Sequence, residues 1–331
     1  MDQIKLGTIG SGAIVHSILD NVALTDGIRL EAVYSRSQEK GAALAAQYGA
    51  KKVYTDRESL FSDSDVNTVY IATPNLLHYE PVRRALLAGK HVICEKPFVT
   101  KLTQARELAA LAKERGLFLV EAAPTMFLPN FRILLRELPK VGRVRLILSS
   151  YSQYSSRYDA LLRGEKPNVF NLEFGGGCLM DINFYNVLLN IALFGRPEEA
   201  VYYPNIYSGA ADTSGVMMMR YPDFVSQNAA AKDTLGVNSF QIEGEKGYIY
   251  IEDGSNGIKS VRVVTKTSDE TFSDQPLPDR WHYEVKELTR LMLAEDCETL
   301  AAHMAVTLDA VAVIESARKK AGLLFPGDDP A

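Results

Sequence analysis

Cysteine is scarce: the 331 residues hold three, Cys94, Cys178 and Cys297, set far apart. That spacing leaves neither a disulfide framework nor a paired-cysteine metal motif in view. The five histidines are equally scattered, and neither HExxH nor CxxC occurs, so the short fixed ligand spacings of a zinc site are missing. No metal is expected. Nor is there a clustered excess of Lys and Arg. The formal net charge is −5 and the isoelectric point about 5.7, which argues against a nucleic-acid partner. No apolar run approaches the length that spans a bilayer, and Met1-Asp2-Gln3 leads into a strand with no basic-plus-apolar export segment. The expectation is a cytoplasmic protein that binds neither membrane nor nucleic acid. Low-complexity stretches are also absent, and 47% hydrophobic with 23% charged residues is ample material for buried cores.

What is present is pattern. A chain of 331 residues exceeds the usual size of one core, so two domains are expected. Val/Ile-rich runs at 4–9, 30–34, 68–72, 91–94 and 117–120 alternate with helical stretches at 13–23, 39–48, 79–88 and 102–115. That alternation reads as a doubly wound α/β domain over 1–122, a parallel sheet wrapped by helices. Past Pro124 the pattern changes. A helix at 130–138, a strand at 143–151 and an apolar helix at 178–194 precede strands at 201–207, 215–221, 225–231, 237–243, 247–251 and 261–265. Two helices, 281–293 and 298–321, close the chain. Residues 123–331 therefore read as an α+β substrate-binding and oligomerisation domain with a large, mostly antiparallel open sheet. Since so few helices can hardly cover both faces of that sheet, a homodimer or homotetramer is expected.

The first run ends in Gly10-Ser11-Gly12 and passes at once into a helix. Gly10 permits a tight bend, Gly12 lets the backbone approach a pyrophosphate, and the helix start at Ala13 and Ile14 faces negative charge. Val15 stands at the third small position of the G-x-G-x-x-G pattern. The turn opens a whole alternating unit, which favours a dinucleotide site over a plain strand-to-helix turn. NAD-specific sites place an acid after the second strand, where this chain has Tyr34-Ser35-Arg36. Arg36 suits a 2′-phosphate, helped by Ser35 and Lys40, or is a solvated loop arginine. NADP(H) is expected ahead of NAD(H).

Three further groups carry chemistry. Lys96, in Glu95-Lys96-Pro97, lies at the carboxyl end of the fourth run, the edge where doubly wound domains bind ligands, and Pro97 restricts its backbone to extended conformations. Asp181 and Tyr185 are four apart and share a face if helical, just beyond Gly175-Gly176-Gly177, whose backbone can come close to another group. A tyrosine on an apolar helix is commonly core, but a carboxylate on the same face needs a partner. His78, in Thr73-Pro74-Asn75-Leu76-Leu77-His78, either lines the nicotinamide side or caps the following helix. Tyr151, Tyr154, Arg157 and Tyr158 are either substrate contacts or packing.

Taken together these residues resemble the Gfo/Idh/MocA oxidoreductases, named for glucose-fructose oxidoreductase and inositol dehydrogenase, over essentially the whole chain. The likeness is carried by Gly10-x-Gly12, Thr73-Pro74-Asn75 with His78, Glu95-Lys96-Pro97, and Gly175-Gly176-Gly177-x-x-x-Asp181-x-x-x-Tyr185 leading to Leu193-Phe194-Gly195. It implies an N-terminal Rossmann domain with Thr73, Pro74, Asn75, His78, Glu95 and Lys96 about the cofactor, and Lys96, Asp181 and Tyr185 at the catalytic positions. Tyr185 stands where many members have histidine, as in the dihydrodiol and xylose dehydrogenase branch. Asn183 replaces the usual glycine, and Met126 stands where an arginine often precedes phenylalanine. The implied activity is NAD(P)-dependent hydride transfer between nicotinamide and a secondary alcohol or carbonyl of a sugar, polyol or cyclic diol. In the oxidative direction Tyr185 would take the proton, Lys96 would favour the phenolate, and Asp181 would orient the pair or relay the proton. The alternative is a nicotinamide-binding sensor that has lost turnover; retention of both Lys96 and Tyr185 favours the enzyme.

Overall fold

Six short runs in the first third of the chain pair in parallel: β1 (Ile4–Ile9), β2 (Ile28–Tyr34), β3 (Lys52–Tyr54), β4 (Thr68–Ile71), β5 (His91–Glu95) and β6 (Leu119–Ala122), in the order β3-β2-β1-β4-β5-β6. The computed structural model describes residues 2–329. Strands β4, β5 and β6 are buried almost throughout, which is why they read as continuous apolar runs. The strand order reverses direction between β1 and β4, so the crevice for a ligand opens at their carboxyl ends. Strand β6 lies two residues beyond the expected 117–120. Gly116, at φ +64°, closes the preceding helix, and Leu117 N–H still donates to Ala112 there. The short β3 and the helix Arg57–Ser62 escaped the sequence reading because β3 has few apolar residues; Lys52 anchors it through Asp63 at 2.8 Å and Asp65 at 2.7 Å. Lys52 is thus an ion-pair anchor as well as a surface lysine.

Contacts divide the chain into two units. The first holds residues up to Ala123 together with Asp279–Leu308, whereas the sequence reading placed everything after 122 in the second domain. The reason is the helix Arg280–Leu293, which packs on the helix Ala13–Val22 and ties to it where Asn21 donates to Asp279 at 2.7 Å. An amphipathic helix advertises a buried face but not which sheet it will cover.

The second unit is built on an eight-stranded sheet: β7 (Val144–Ser152), β8 (Glu199–Ile206), β9 (Asp212–Arg220), β10 (Val225–Ala231), β11 (Ser239–Gly244), β12 (Gly247–Glu252), β13 (Ser260–Thr265) and β14 (Asp269–Phe272). The order is β14-β13-β12-β11-β7-β10-β9-β8, antiparallel throughout except for the central β7–β10 pair. Alternation along the strands separates two faces. Ile147, Ser149, Ser226, Asn228, Met217 and Met219 are buried, with the helix Phe184–Phe194 among the elements against them. Leu148, Val225 and Tyr203 point the other way and are exposed at 37%, 38% and 64%. Edge strand β14 is polar (Asp269-Glu270-Thr271-Phe272) and carried no strand signal.

The expected helix at 178–194 begins instead as a π-turn, Leu179–Asn183, before the α-helix Phe184–Phe194. The stretch Leu172–Phe194 and the helix Cys297–Lys320 are long and apolar enough, by length and composition, to cross a bilayer, which corrects the expectation that no run nears that length. Leu172–Phe194 is mostly buried inside the molecule and carries Asp181, so its apolar residues serve a protein core.

Candidate functional site

In the first unit the residues singled out from sequence gather on one sheet edge. Gly10 follows β1, Ser35-Arg36 follows β2, Thr73 follows β4 and Lys96 follows β5. Gly10 sits at φ +135°, and a Cβ there would lie 2.6 Å from the Ala72 carbonyl oxygen, so the turn after β1 can pass the end of β4 only as glycine. At Gly12, by contrast, a Cβ would meet nothing within 4 Å; the space before the helix Ala13–Val22 is open. No side chain caps that helix and no acid lies in its first turn, which leaves its N-terminus suited to an anion. Val15 points into the core and is fully buried, so the missing third glycine does not alter the open side. Ser35 is buried and its hydroxyl accepts the Ser37 N–H at 3.2 Å, while Arg36 and Lys40 are exposed. A feature the sequence did not suggest is Arg57, whose guanidinium lies 5.4 Å from the centre of the Tyr34 ring beside this loop.

His78 stands at the N-cap of the helix Tyr79–Leu87, where its carbonyl accepts the Val82 N–H at 3.1 Å. Its side chain is wholly buried, with Nδ1 2.9 Å from the Phe98 carbonyl and Nε2 2.7 Å from the Thr73 carbonyl, and makes no capping bond to that helix. Burial lowers its proton affinity, against the pull of the carbonyls. The His78 ring therefore lies between the loop after β4 and the loop after β5. Glu95 likewise points inward. It accepts the Tyr70 hydroxyl at 2.6 Å and the Lys96 N–H at 3.2 Å, and burial pushes its carboxyl above the usual range. Its contribution is to anchor the backbone that carries Lys96, whose peptide bond to Pro97 is cis.

In the second unit the three glycines are explained by their neighbours. A Cβ at Gly176 would sit 2.6 Å from the Asn168 carbonyl, and one at Gly177, where φ is +132°, would overlap the Asp212 carboxylate. That carboxylate accepts the Leu179 N–H at 2.7 Å and the Tyr202 hydroxyl at 2.6 Å, so it caps the start of the helical segment. Burial raises its pKa to about 6. Asp181 then falls inside the π-turn, a wide turn in which residues four apart still share a face, and π-turns recur at functional sites. Its carboxylate is 2.5 Å from Lys232 Nζ. Tyr185 is 5% exposed, its ring edge-on to Tyr151 at 6.1 Å and to Phe184 at 5.6 Å. Tyr151 is buried with its hydroxyl accepting from Asn256, whereas Tyr154 is exposed and donates to Asp159.

Asn183, the departure from glycine, has a local cause. Its amide donates to the Asn228 carbonyl at 3.1 Å and its oxygen accepts from Asn186 at 3.1 Å, within a buried network that also joins Asn190 and Ser149 to Asn228. That network fastens the helix bearing Tyr185 to β7 and β10. Lys232 was legible in principle. It follows β10 in the same alternate row as buried Asn228 and Ala230, and a lysine at a buried position calls for an acid. Among the described residues no group of three His, Cys, Asp or Glu side chains is placed to hold a metal ion.

Residues 4–122 match the family model of the oxidoreductase family with an NAD-binding Rossmann fold. The chain is 33% identical to scyllo-inositol 2-dehydrogenase (NADP(+)) of Bacillus subtilis (strain 168), over 98% of this chain and 99% of the relative. It is 26% identical to trans-1,2-dihydrobenzene-1,2-diol dehydrogenase of Sus scrofa, over 90% of each chain. Among solved structures, the 3-ketoreductase KijD10 of Actinomadura kijaniata, in complex with NADP and TDP-benzene, shares the fold at a TM-score of 0.83 and 22% identity, covering 96% of this chain and 97% of that one. The chain belongs to the Gfo/Idh/MocA family of oxidoreductases.

Proposed function

We propose that the protein is an NADP(H)-preferring dehydrogenase or reductase that interconverts a secondary alcohol and its carbonyl on a cyclic polyol or sugar. The observation that carries this reading is the sheet edge on which the open turn at Gly12, the acid-free β2 end at Ser35-Arg36, and Lys96 all lie. When bound, the nicotinamide supplies the hydride acceptor or donor. Gly10, Ser11, Gly12, Ala13 and Ile14 would hold the pyrophosphate through their backbone, with Arg36, Ser35 and Lys40 toward a 2′-phosphate and Thr73, Pro74 and Asn75 along the loop after β4. For the chemistry, Tyr185 takes or returns the hydroxyl proton and Lys96 favours the charged form of the phenol. The 33% identity to a scyllo-inositol dehydrogenase supports placing cyclic polyols first among substrates.

The test is a panel of scyllo-inositol, other inositols, aldoses and cyclic diols, each incubated with NADP+ and with NAD+ and followed by the absorbance of the reduced nicotinamide. Turnover of at least one polyol or sugar, faster with NADP+, is expected. No turnover of any member with either cofactor would leave the silent nicotinamide sensor as the better reading. In the same format Arg36→Asp should weaken NADP(H) binding by roughly 10²-fold and leave NAD(H) nearly unchanged, because it puts a carboxylate where the 2′-phosphate needs a cation. Equal weakening of both cofactors would take the 2′-phosphate role from Arg36, and no change in either would remove it from the site.

We also propose a homodimer in the cytoplasm. The outward row Leu148, Gln227, Met218 and Val201 runs side by side across four strands, flanked by exposed Val225 and Tyr203, and a second copy of the same face is a self-complementary cover for it. Light scattering at micromolar concentration should give twice the 36.6 kDa chain mass, and Leu148→Glu should shift it toward the monomer. A wild-type monomer would contradict the proposal. Unpaired cysteines at 94, 178 and 297 suit a reducing compartment.

A further inference from the structure

Lys232 is the buried cation of the second unit's polar centre. Its side chain is 7% exposed, against 33% for Asp181, and its Nζ sits 2.5 Å from the Asp181 carboxylate. The lysine backbone is fixed at both ends: its N–H donates to the Thr213 carbonyl at 2.8 Å, and its own carbonyl accepts the Ser155 N–H at 2.9 Å. The other acids around it are engaged elsewhere. Asp212 accepts from Leu179 and Tyr202, and Asp233 accepts the hydroxyls of Thr213 at 2.7 Å and Ser214 at 2.9 Å. Cys178, which feels the charges of Asp181, Asp212, Asp233 and Lys232, is buried as a neutral thiol.

We propose that Lys232 is a positioning residue for the reaction: it clamps Asp181 as a carboxylate and fixes where that carboxylate points. A buried ammonium is costly without a partner, and removing one member of such a pair leaves the other uncompensated. An opposite charge at this distance favours the ionised carboxylate, so Asp181 remains charged through the working pH range and does not serve as the final proton acceptor. Lys232 also cancels a negative charge that lies one helical turn before Tyr185 and would otherwise oppose a phenolate there. Asp181 and Lys232 thus form a neutral, oriented pair, and the proton passes through Tyr185 alone. The catalytic part of this inference rests on the proposed oxidoreductase function; the clamp itself does not.

The test uses the full chain labelled with 13C at the aspartate carboxyls, the Asp181 signal being the one lost in Asp181→Asn. In the wild type that carboxyl should titrate below the free-aspartate value of about 3.9, and in Lys232→Met its midpoint should rise by at least about one pH unit. A wild-type midpoint at or above the free value, or one unmoved by Lys232→Met, overturns the clamp. If Lys232→Met does not fold, as judged by circular dichroism, Lys232→Arg keeps the charge and must keep the low midpoint. With a substrate from the panel, Lys232→Met should lower kcat by roughly 10- to 100-fold with little change in KM and move the acid limb of the pH profile upward, while Lys232→Arg recovers most of the loss. Unchanged turnover and pH profile in Lys232→Met overturn the positioning role. If the wild type turns over nothing in the panel, the proposed function fails while the carboxyl titration still decides the clamp.

Discussion

Tyr185→Phe is expected to reduce turnover by roughly 10²- to 10⁴-fold while changing cofactor affinity by less than about twofold. The substitution isolates the hydroxyl. The ring is 5% exposed and packs edge-on against Tyr151 and Phe184, so phenylalanine keeps the buried surface and the ring geometry that hold the helix in place. The substitution also leaves in place the amides of the buried asparagine network around Asn183, Asn186 and Asn228. A free phenol titrates near about 10 and needs a cation to work near neutrality. Under the proposed pairing of Lys96 with Tyr185, Lys96→Met should lower turnover by a similar factor and move the remaining pH dependence upward, since the phenol would lose the charge that favours its ionised form. Both variants are read by a pH profile of kcat and kcat/KM together with a cofactor titration. Near-normal turnover in Tyr185→Phe would shift proton transfer to Asp181, because His78 is wholly buried.

The strands that positioned these residues were legible because their signal is local. β1, β4 and β5 are short apolar runs bounded by turn residues, and the Gly10 and Gly177 conformations follow from close approaches that a glycine-rich string announces. What stayed hidden depends on partners far away in sequence. Nothing near Lys232 indicates that Asp181, 51 residues earlier, will meet it; only its place in the row of Asn228 and Ala230 hints at a need for an acid. For His78 the sequence leaves the nicotinamide side and the cap of the following helix as alternatives. Its ring also meets the Pro97 and Phe98 carbonyls, which a reading of its own loop cannot supply. The helix Arg280–Leu293 was predicted as a helix but assigned to the wrong unit, because its packing against Ala13–Val22 is a tertiary choice. Asn183 looked like a defect in a family pattern and is one member of a buried hydrogen-bonded network.

Glu121→Gln is expected to stabilise the protein by roughly 3 kcal/mol at pH 8 and to have little effect near pH 4. Glu121 lies in β6, fully buried, and burial raises its pKa to about 7 despite two hydrogen bonds that favour the carboxylate, from Phe98 N–H at 2.7 Å and from the Thr307 hydroxyl at 2.8 Å. Nearby Glu95 adds like charge and pushes the same way. In the unfolded chain the same carboxyl titrates near about 4.3, so the proton is held more tightly by the folded state. Stability from this group is therefore fully present below that pH, declines as the pH rises through about 7, and is level above it. Glutamine removes the charge that must be desolvated and keeps both contacts: its oxygen accepts the Phe98 N–H, and its amide donates to a Thr307 hydroxyl that turns from donor to acceptor. Other buried acids, Glu284 and Asp212, are pushed in the same direction, so the wild type as a whole should lose stability across that window and only the difference between the two proteins reports Glu121. Denaturant unfolding at one protein concentration, measured at intervals from pH 4 to pH 9, supplies that difference. Two parallel stability curves would mean that Glu121 ionises as readily in the folded protein as in the unfolded chain, and would place water at the end of β6.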